Sequence, residues 1–511
     1  MIKRKINTFI NLRKLFKEYQ SVANFYWRNK TPDVIDKNGL ITLELSEYNP
    51  QEIEVVQHGL NVIRQKYNYK ASIILSNFKL KDILFFPLFR SFNDSKIAWS
   101  FNIKKYINFY FLQELFSAVS IFKSIRSSDE ISKLVYKKHL IGDLVYDTYI
   151  RLYDKSFVPK KDFLLFKLVL KSVIAVNKYS SYFKSNPNSK ICISGDRGYI
   201  NHGLFLRVGY AFKNDCYYYN GRLLKEFNDI TESCHKNHAM IPVHELLALF
   251  EGVSINEKID EYFRTRFSGN INELDALAFK NKKIYSREEL VLSLKLDKRK
   301  KNALIMPHAI SDSPHITNCI FEDYYQWLLN VLIIVKENHK INWIIKPHPL
   351  MYLYGEVGVV EDLIKKLNVH NVKVLPKDFS SSAIPKLADI ILTVCGTSGL
   401  EFACFGIPVI NAGNSMYSNY GINIEPKTKE EYYAVLNNIH QIGKLSVDQI
   451  TTAKNLAYFI FIHRHNTPVY IYEGYTEGQS YERLYTNCID NYKNSKAKNV
   501  LFESWMKQNI E

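Results

Sequence analysis

Three clusters in this 511-residue chain carry residue types that do chemistry. Lys346-Pro347-His348-Pro349 closes an apolar run at 343–345 and sets a cation and an imidazole between prolines. The prolines fix their own φ and push their neighbours toward extended backbone, which stiffens the loop. A lysine and a histidine held there would neutralise a phosphate and donate to its oxygens. Cys395-Gly396-Thr397-Ser398-Gly399 follows a second apolar run and opens a helical pattern. Backbone amides, two hydroxyls and the positive helix end would meet an anion at Gly396, Thr397 and Ser398, and Glu401 has the reach for ribose hydroxyls. Both stretches also have a plain structural reading. Prolines end strands, and Ser398-x-x-Glu401 is a capping box that needs no ligand.

The third cluster, PHAISDSPH, gathers His308, Asp312 and His315 in one loop. Their spacing matches no standard metal site, so general acid/base work or sugar contact is expected of His308 and Asp312, and turn capping is the structural alternative. Earlier in the chain, Asp196 follows the run ICIS, ahead of Tyr199, Asn201 and His202. A carboxylate at a strand end can act as base or nucleophile, and it can equally satisfy a turn. Arg151 would face a substrate anion or pair at the surface, and His235, His238 and His244 are at most a lining.

The elements that position these residues follow from the pattern. Runs at 303–306, 343–346, 372–375, 390–394 and 408–410 have strand length, and helical patterns at 321–337, 359–367, 381–387 and 398–405 separate them. Such alternation argues for a doubly wound α/β domain that binds ligands beyond the carboxyl ends of its strands. Upstream, ITLEL, ASIILS, ILFFPLF and ICIS read as strands, with helices near 51–66, 108–125, 161–183, 244–250, 257–267 and 286–294. LDKRKK at 296–301 reads as a linker. The expectation is α/β throughout, in two Rossmann-like domains facing a cleft. The first spans 1–295 on the acceptor side, the second 301–445 at the nucleotide, and helices within 446–511 return to the first domain.

Lys and Arg exceed Asp and Glu by 68 − 51 = 17, a basic balance that suits an anionic membrane, an acidic polymer or a nucleotide. The basic residues are spread along the chain and form no nucleic-acid module, so no nucleic-acid partner is expected. The 7 cysteines form no CxxC pair, so neither a zinc ribbon nor a disulfide framework is indicated and reduced thiols are expected. Charges interrupt each apolar stretch before it reaches spanning length. Residues 3–17 have the composition of a basic amphipathic helix on a membrane, or of a surface helix of the first domain.

The order HAISDSPH, FEDYYQWL, IIKPHP and ADIILTVCGTSGLEFACFGIPVI resembles bacterial capsule and O-antigen glycosyltransferases of the GT-B type. It is most similar to the branch containing retaining 3-deoxy-manno-octulosonate (Kdo) transferases, which IGDLVYDTYIR and SGDRGYINHGLFLRVGYA also resemble. The likeness covers roughly residues 135 to 440. It implies a CMP-activated donor such as CMP-Kdo, with phosphate contacts from Lys346 and His348 and a second nucleotide loop at Thr397, Ser398 and Glu401. Asp196 falls where that branch carries a carboxylate nucleophile, which implies double displacement. No cofactor and no metal is obligatory, because the donor brings its own leaving phosphate. The implied partners are a nucleotide sugar, a glycan or lipid-linked acceptor, and the inner face of the cytoplasmic membrane for a peripheral cytoplasmic enzyme. A UDP- or GDP-sugar transferase, a CDP-polyol donor, a UDP-sugar 2-epimerase and a basic scaffold protein are the alternatives.

Overall fold

The computed structural model describes residues 2–28, 36–45, 50–76, 96–98, 109–153, 158–159, 161–220, 223–227, 241–268, 279, 282–463 and 481–493. The strand expected in ILFFPLF and the residues His235 and His238 lie outside them. The chain divides into two compact units. Unit 1 comprises 1–146, 159–230 and 466–511, and unit 2 comprises 147–158 and 231–465.

In order, the elements are α1 (Ile2–Arg28), β1 (Asp36–Leu45), α2 (Pro50–Tyr67), β2 (Tyr69–Leu75), β3 (Lys96–Ala98) and α3 (Phe109–Ser124). A small hairpin of β4 (Val135–Tyr136) and β5 (His139–Leu140) precedes α4 (Gly142–Tyr153) and α5 (Phe163–Ser185). Next come β6 (Ser189–Ser194), α6 (Leu204–Ala211), β7 (Asp215–Asn220) and β8 (Leu223–Phe227). Helices α7 (Val243–Leu249), α8 (Ile255–Ser268) and α9 (Arg287–Ser293) lead into β9 (Asn302–Ile305), α10 (Tyr324–Glu337), β10 (Asn342–Ile345), α11 (Val359–Leu367) and β11 (Val372–Val374). Then follow α12 (Ile384–Leu387), β12 (Ile390–Thr393), α13 (Ser398–Ala403), β13 (Val409–Asn411), α14 (Lys429–Asn437), α15 (Val447–Tyr458) and α16 (Tyr481–Lys493).

The sheet of unit 1 runs β3-β2-β1-β6-β7-β8, parallel except for β8. The sheet of unit 2 runs β11-β10-β9-β12-β13, parallel throughout. Both have the strand order of a dinucleotide-binding fold, in which the sheet grows outward in two directions from its first strand. These strands are buried on both faces and so read as unbroken apolar runs. Ala303, Leu304, Ile305, Ile344, Ile345 and Ile391 are fully buried, and each large aliphatic among them contributes about 1.5–3 kcal/mol. Side-chain caps fix helix starts: Asp323 accepts from the Gln326 amide at 2.6 Å, and Ser286 with Glu289 forms a capping box.

The division differs from the expected boundary at 295–301. Leu246, Phe250, Ile259, Phe263, Phe267 and Leu290 share one core with Leu304, Ile344, Leu400 and Phe402, so α7, α8 and α9 belong to unit 2. LDKRKK is therefore a turn inside that unit, where Asp297 accepts from the Arg299 amide and guanidinium. Helix α15 also buries Ala453, Leu456 and Ala457 in this core, so among the described residues of the expected returning segment α16 belongs to unit 1 and α15 to unit 2. There it meets α1, with Tyr485 edge-on to Phe16 at 5.1 Å and to Tyr19 at 5.0 Å. The basic helix foreseen at 3–17 forms as part of α1, and its Phe16, Tyr19 and Ala23 are spent on this internal core. Among the described residues no helix is long and apolar enough to cross a membrane.

Candidate functional site

The order β10-β9-β12 sets side by side the three loops that sequence reasoning singled out. KPHP follows β10, PHAISDSPH follows β9 and CGTSG follows β12, and the sheet's order reverses between β9 and β12. The amide of Lys346 donates to the Ile305 carbonyl at 2.9 Å, and that of Met306 to the Leu392 carbonyl at 2.8 Å, so pairing continues to the loop bases. A cavity of about 300 Å³ opens there, and Lys346, His348, His308, Asp312, Gly396, Thr397, Ser398 and Glu401 all line it.

Each histidine is oriented by backbone. The Nδ1 of His348 accepts from the Leu350 amide at 3.3 Å, so its proton sits on Nε2. The Nε2 of His308 accepts from the Cys395 amide at 3.1 Å, and its ring stacks on Tyr324 at 4.7 Å. Burial, with His348 nearby, pushes the His308 pKa down to about 3. His308 is thus a neutral ring with a proton on Nδ1, suited to donating a hydrogen bond rather than to taking a proton through Nε2. Lys346 is half-buried, and desolvation, helped by the Lys282 charge and opposed by Glu401, lowers its pKa to about 8.

Helix α13 starts differently from the expected capping box. Thr397 is the N-cap, in helical backbone and without a side-chain cap bond. The Gly399 amide bonds the Gly396 carbonyl and the Leu400 amide the Thr397 carbonyl, so these donors serve the turn itself. The Thr397 and Ser398 hydroxyls remain at the cavity wall. Glu401 is buried and pairs with Arg266 of α8, Nε to Oε1 at 3.1 Å, with both side chains 4% exposed. Arg266 lines the same cavity, and sequence reasoning missed it. Its signal was present: in α8 it falls seven residues after Ile259 and three after Phe263, on the apolar face.

The PHAISDSPH loop is clamped from outside. Buried Glu356 accepts from the Ile310 and Ser311 amides at 2.7 Å each, and His315 Nδ1 lies 2.6 Å from Asp147. Asp312 hydrogen-bonds Tyr354, whose hydroxyl pKa rises to about 12, first through burial and then through the Asp312 charge. The Arg151 guanidinium lies over the Tyr354 ring at 4.1 Å. His308, Asp312 and His315 therefore point to separate partners and do not converge as ligands. Asp196 lies in unit 1, where Oδ1 accepts from the Arg197 amide at 2.6 Å and the Gly198 amide at 3.2 Å, as a turn-forming aspartate does.

No curated protein matches the chain in sequence. Among solved structures, the chain is similar to the KpsC β-Kdo 2,4 transferase of Thermosulfurimonas dismutans at 13% identity, covering 53% of this chain and 80% of that one with a TM-score of 0.32. The β-Kdo 2,7 transferase of the same KpsC gives 15%, 54%, 80% and 0.31. UDP-GlcNAc 2-epimerase of Neisseria meningitidis gives 11% identity over 92% of this chain and 100% of that one, with a TM-score of 0.20. Likeness this low adds nothing to the strand order already described. A family model does match: residues 222–453 fit that of the capsule polysaccharide biosynthesis proteins. The stretch carrying the cavity and its three loops is thus the stretch by which this chain resembles capsule polysaccharide biosynthesis proteins.

Proposed function

We propose that this chain is a glycosyltransferase of capsule polysaccharide biosynthesis that transfers Kdo or a related ulosonic acid from a CMP-activated donor to a glycan acceptor. The observation that carries the reading is the meeting of Lys346, His348, Thr397 and Ser398 on one 300 Å³ cavity at the sheet's carboxyl edge. In this reading the Nε2–H of His348, the Lys346 ammonium and the two hydroxyls take the phosphate. Glu401, held by Arg266, takes the ribose, and the Nδ1–H of His308 donates to the phosphate or the sugar. These donors stabilise the charge that builds on the leaving nucleotide. Asp312 acts at the sugar or the acceptor. Retention through an adduct on Asp196 is the finer part of the proposal. The lipid-linked acceptor and a peripheral position at the inner face of the cytoplasmic membrane belong to it too, and the net charge of +17 supports them.

The test is a thermal-shift panel of CMP, CDP, UDP and GDP, followed by mass spectrometry of nucleotide released from the matching sugar donors. A nucleotide present at a hundred times its dissociation constant stabilises the fold by about 2.7 kcal/mol. Stabilisation by CMP supports the ulosonate reading. Stabilisation by UDP or GDP alone moves the donor to those classes, by CDP to a polyol phosphate, and none at all speaks for a scaffold.

A further inference from the structure

Lys346 and His348 line the cavity described above, and they also line a second one of about 260 Å³. This second cavity lies at the carboxyl ends of β10 and β11, where the Leu375 amide still pairs with the Ile345 carbonyl at 2.9 Å. Residues 351–361, which lead into α11, give it another wall. Lys282 reaches it from upstream. The Lys283 amide donates to the Asp378 carbonyl at 2.6 Å and the Ser380 amide to the Lys283 carbonyl at 2.9 Å, so that stretch is paired to the loop after β11.

Among the described residues that line this cavity, Lys282, Lys346 and Lys377 carry ammonium groups and Glu361 carries the opposing carboxylate. None of the three lysines forms an ion pair with a described residue. Lys282 Nζ donates instead to the Lys377 carbonyl at 2.7 Å. Its charge also adds to the burial that depresses the Lys346 pKa, so these two cations act on each other. Like charges gathered in one concavity raise the local concentration of the opposite ion.

Charge alone would suit any small anion, but much of the lining is apolar. Met351, Leu375 and Phe379 are buried in the wall, while Tyr352 and Val357 are 53% and 62% exposed. An inorganic anion has no use for such a surface. A pyranose ring does, because its C–H faces pack on apolar and aromatic side chains while its polar groups pair at the ring's edge. Glu361 can only accept, which suits sugar hydroxyls. The volume lies below the about 300–1,000 Å³ of sites for larger ligands and is enough for one monosaccharide.

We infer that this second cavity holds an acidic sugar, with its carboxylate on Lys282 and Lys377 and its hydroxyls toward Glu361. The inference rests on the transferase reading, which supplies such a sugar from two sources. One is the donor's ulosonic acid, whose carboxylate shares the anomeric carbon with the phosphate. The other is an acidic residue at the end of the acceptor chain. Both would lie one loop away from the nucleotide phosphate, since Lys346 and His348 belong to both compartments.

The test uses the full chain, with free Kdo, glucuronate and glucose titrated by ligand-observed NMR and CMP by calorimetry. The wild type should bind the two acids and not glucose. Lys282→Gln/Lys377→Gln should weaken acid binding about tenfold or more. CMP affinity should stay unchanged, since neither lysine lines the first cavity. If the double variant does not fold, Lys377→Glu, a charge reversal at an exposed position, takes its place with the same expectation. Kinetics with CMP-Kdo and capsular oligosaccharide separate the sources: a raised donor KM assigns the donor's sugar, and a raised acceptor KM the acceptor residue. Neither KM rising overturns the inference, as does equal binding of glucose, absent acid binding, or acid binding that survives the substitutions. A second CMP per chain that the substitutions abolish also overturns it, by making the cavity a nucleotide site. A wild type that binds no CMP and releases no nucleotide sinks the transferase reading instead, and the acid titration still reads the cavity.

Discussion

Nε of Arg266 lies 3.1 Å from Oε1 of Glu401, and the two buried side chains form one wall of the cavity that Thr397 and Ser398 also line. Removing one partner of such a pair leaves an uncompensated charge, at about 3–5 kcal/mol. Arg266→Met should therefore lower the denaturation midpoint markedly. The double variant Arg266→Met/Glu401→Leu should recover most of that loss while still failing to bind nucleotide. Urea unfolding and nucleotide titration of the two proteins check both halves.

The lowered pKa of Lys346, about 8, sets a pH dependence. Its charged form, which the proposed phosphate contact requires, is full below that value and is lost as pH rises through it. The kcat/KM of the free enzyme should accordingly decline above about pH 8, and Lys346→Arg, charged throughout, should flatten that limb. His308, with a pKa of about 3, should give no limb between pH 5 and 8. The same lysine affects folding with a definite sign. Its folded pKa lies below its unfolded one, so it opposes stability fully below pH 8 and progressively less as pH rises toward 10.5. Steady-state profiles and unfolding curves across pH 6 to 10 read both effects.

Glu356 holds the Ile310 and Ser311 amides, one on each carboxylate oxygen. Glu356→Gln keeps the shape but turns one acceptor into a donor that faces an amide. Donor KM should rise about tenfold or more, as expected when a charge-assisted bond worth about 1.5–3 kcal/mol is lost. Hydrogen exchange over 308–316 should accelerate in the same protein. An unchanged exchange rate in that loop would contradict the clamp.

Because α7, α8 and α9 pack on the unit 2 sheet, a fragment beginning at residue 301 would expose Leu400, Phe402 and Ile344. Expressed as 301–465 it should aggregate, while 231–465 should be markedly more soluble. Size-exclusion chromatography of the two fragments separates the outcomes.

The unit 2 sheet was legible because its strands are buried on both faces and therefore read as short apolar runs punctuated by Pro, Gly and His. The placement of KPHP, PHAISDSPH and CGTSG on one cavity followed from that alternation. Arg266 was hidden because a helix far upstream supplies it, and local periodicity marks a buried face without saying what lies against it. The burial of β1 was hidden for a related reason: in ITLEL the alternation of Leu with Thr and Glu suggests a half-exposed strand, whereas Thr42 and Glu44 are in fact wholly buried. The boundary at 296–301 misled because a charged hexapeptide reads the same in a linker as in an exposed turn. Ser398-x-x-Glu401 misled because Arg266 offers its carboxylate a stronger partner than the backbone does.

The two glycines of the CGTSG loop are under unequal demands. A methyl group on residue 399 would sit 1.9 Å from the Tyr417 hydroxyl, while one on residue 396 would meet its nearest atoms at 3.1 and 3.2 Å. Tyr417 cannot retreat freely, since its hydroxyl donates to the Gly396 carbonyl and its ring is fully buried. Saturation mutagenesis of this loop would thus meet a hard steric veto at one glycine and a soft one at the other. Within the proposed donor site, the room for manoeuvre lies at residue 396.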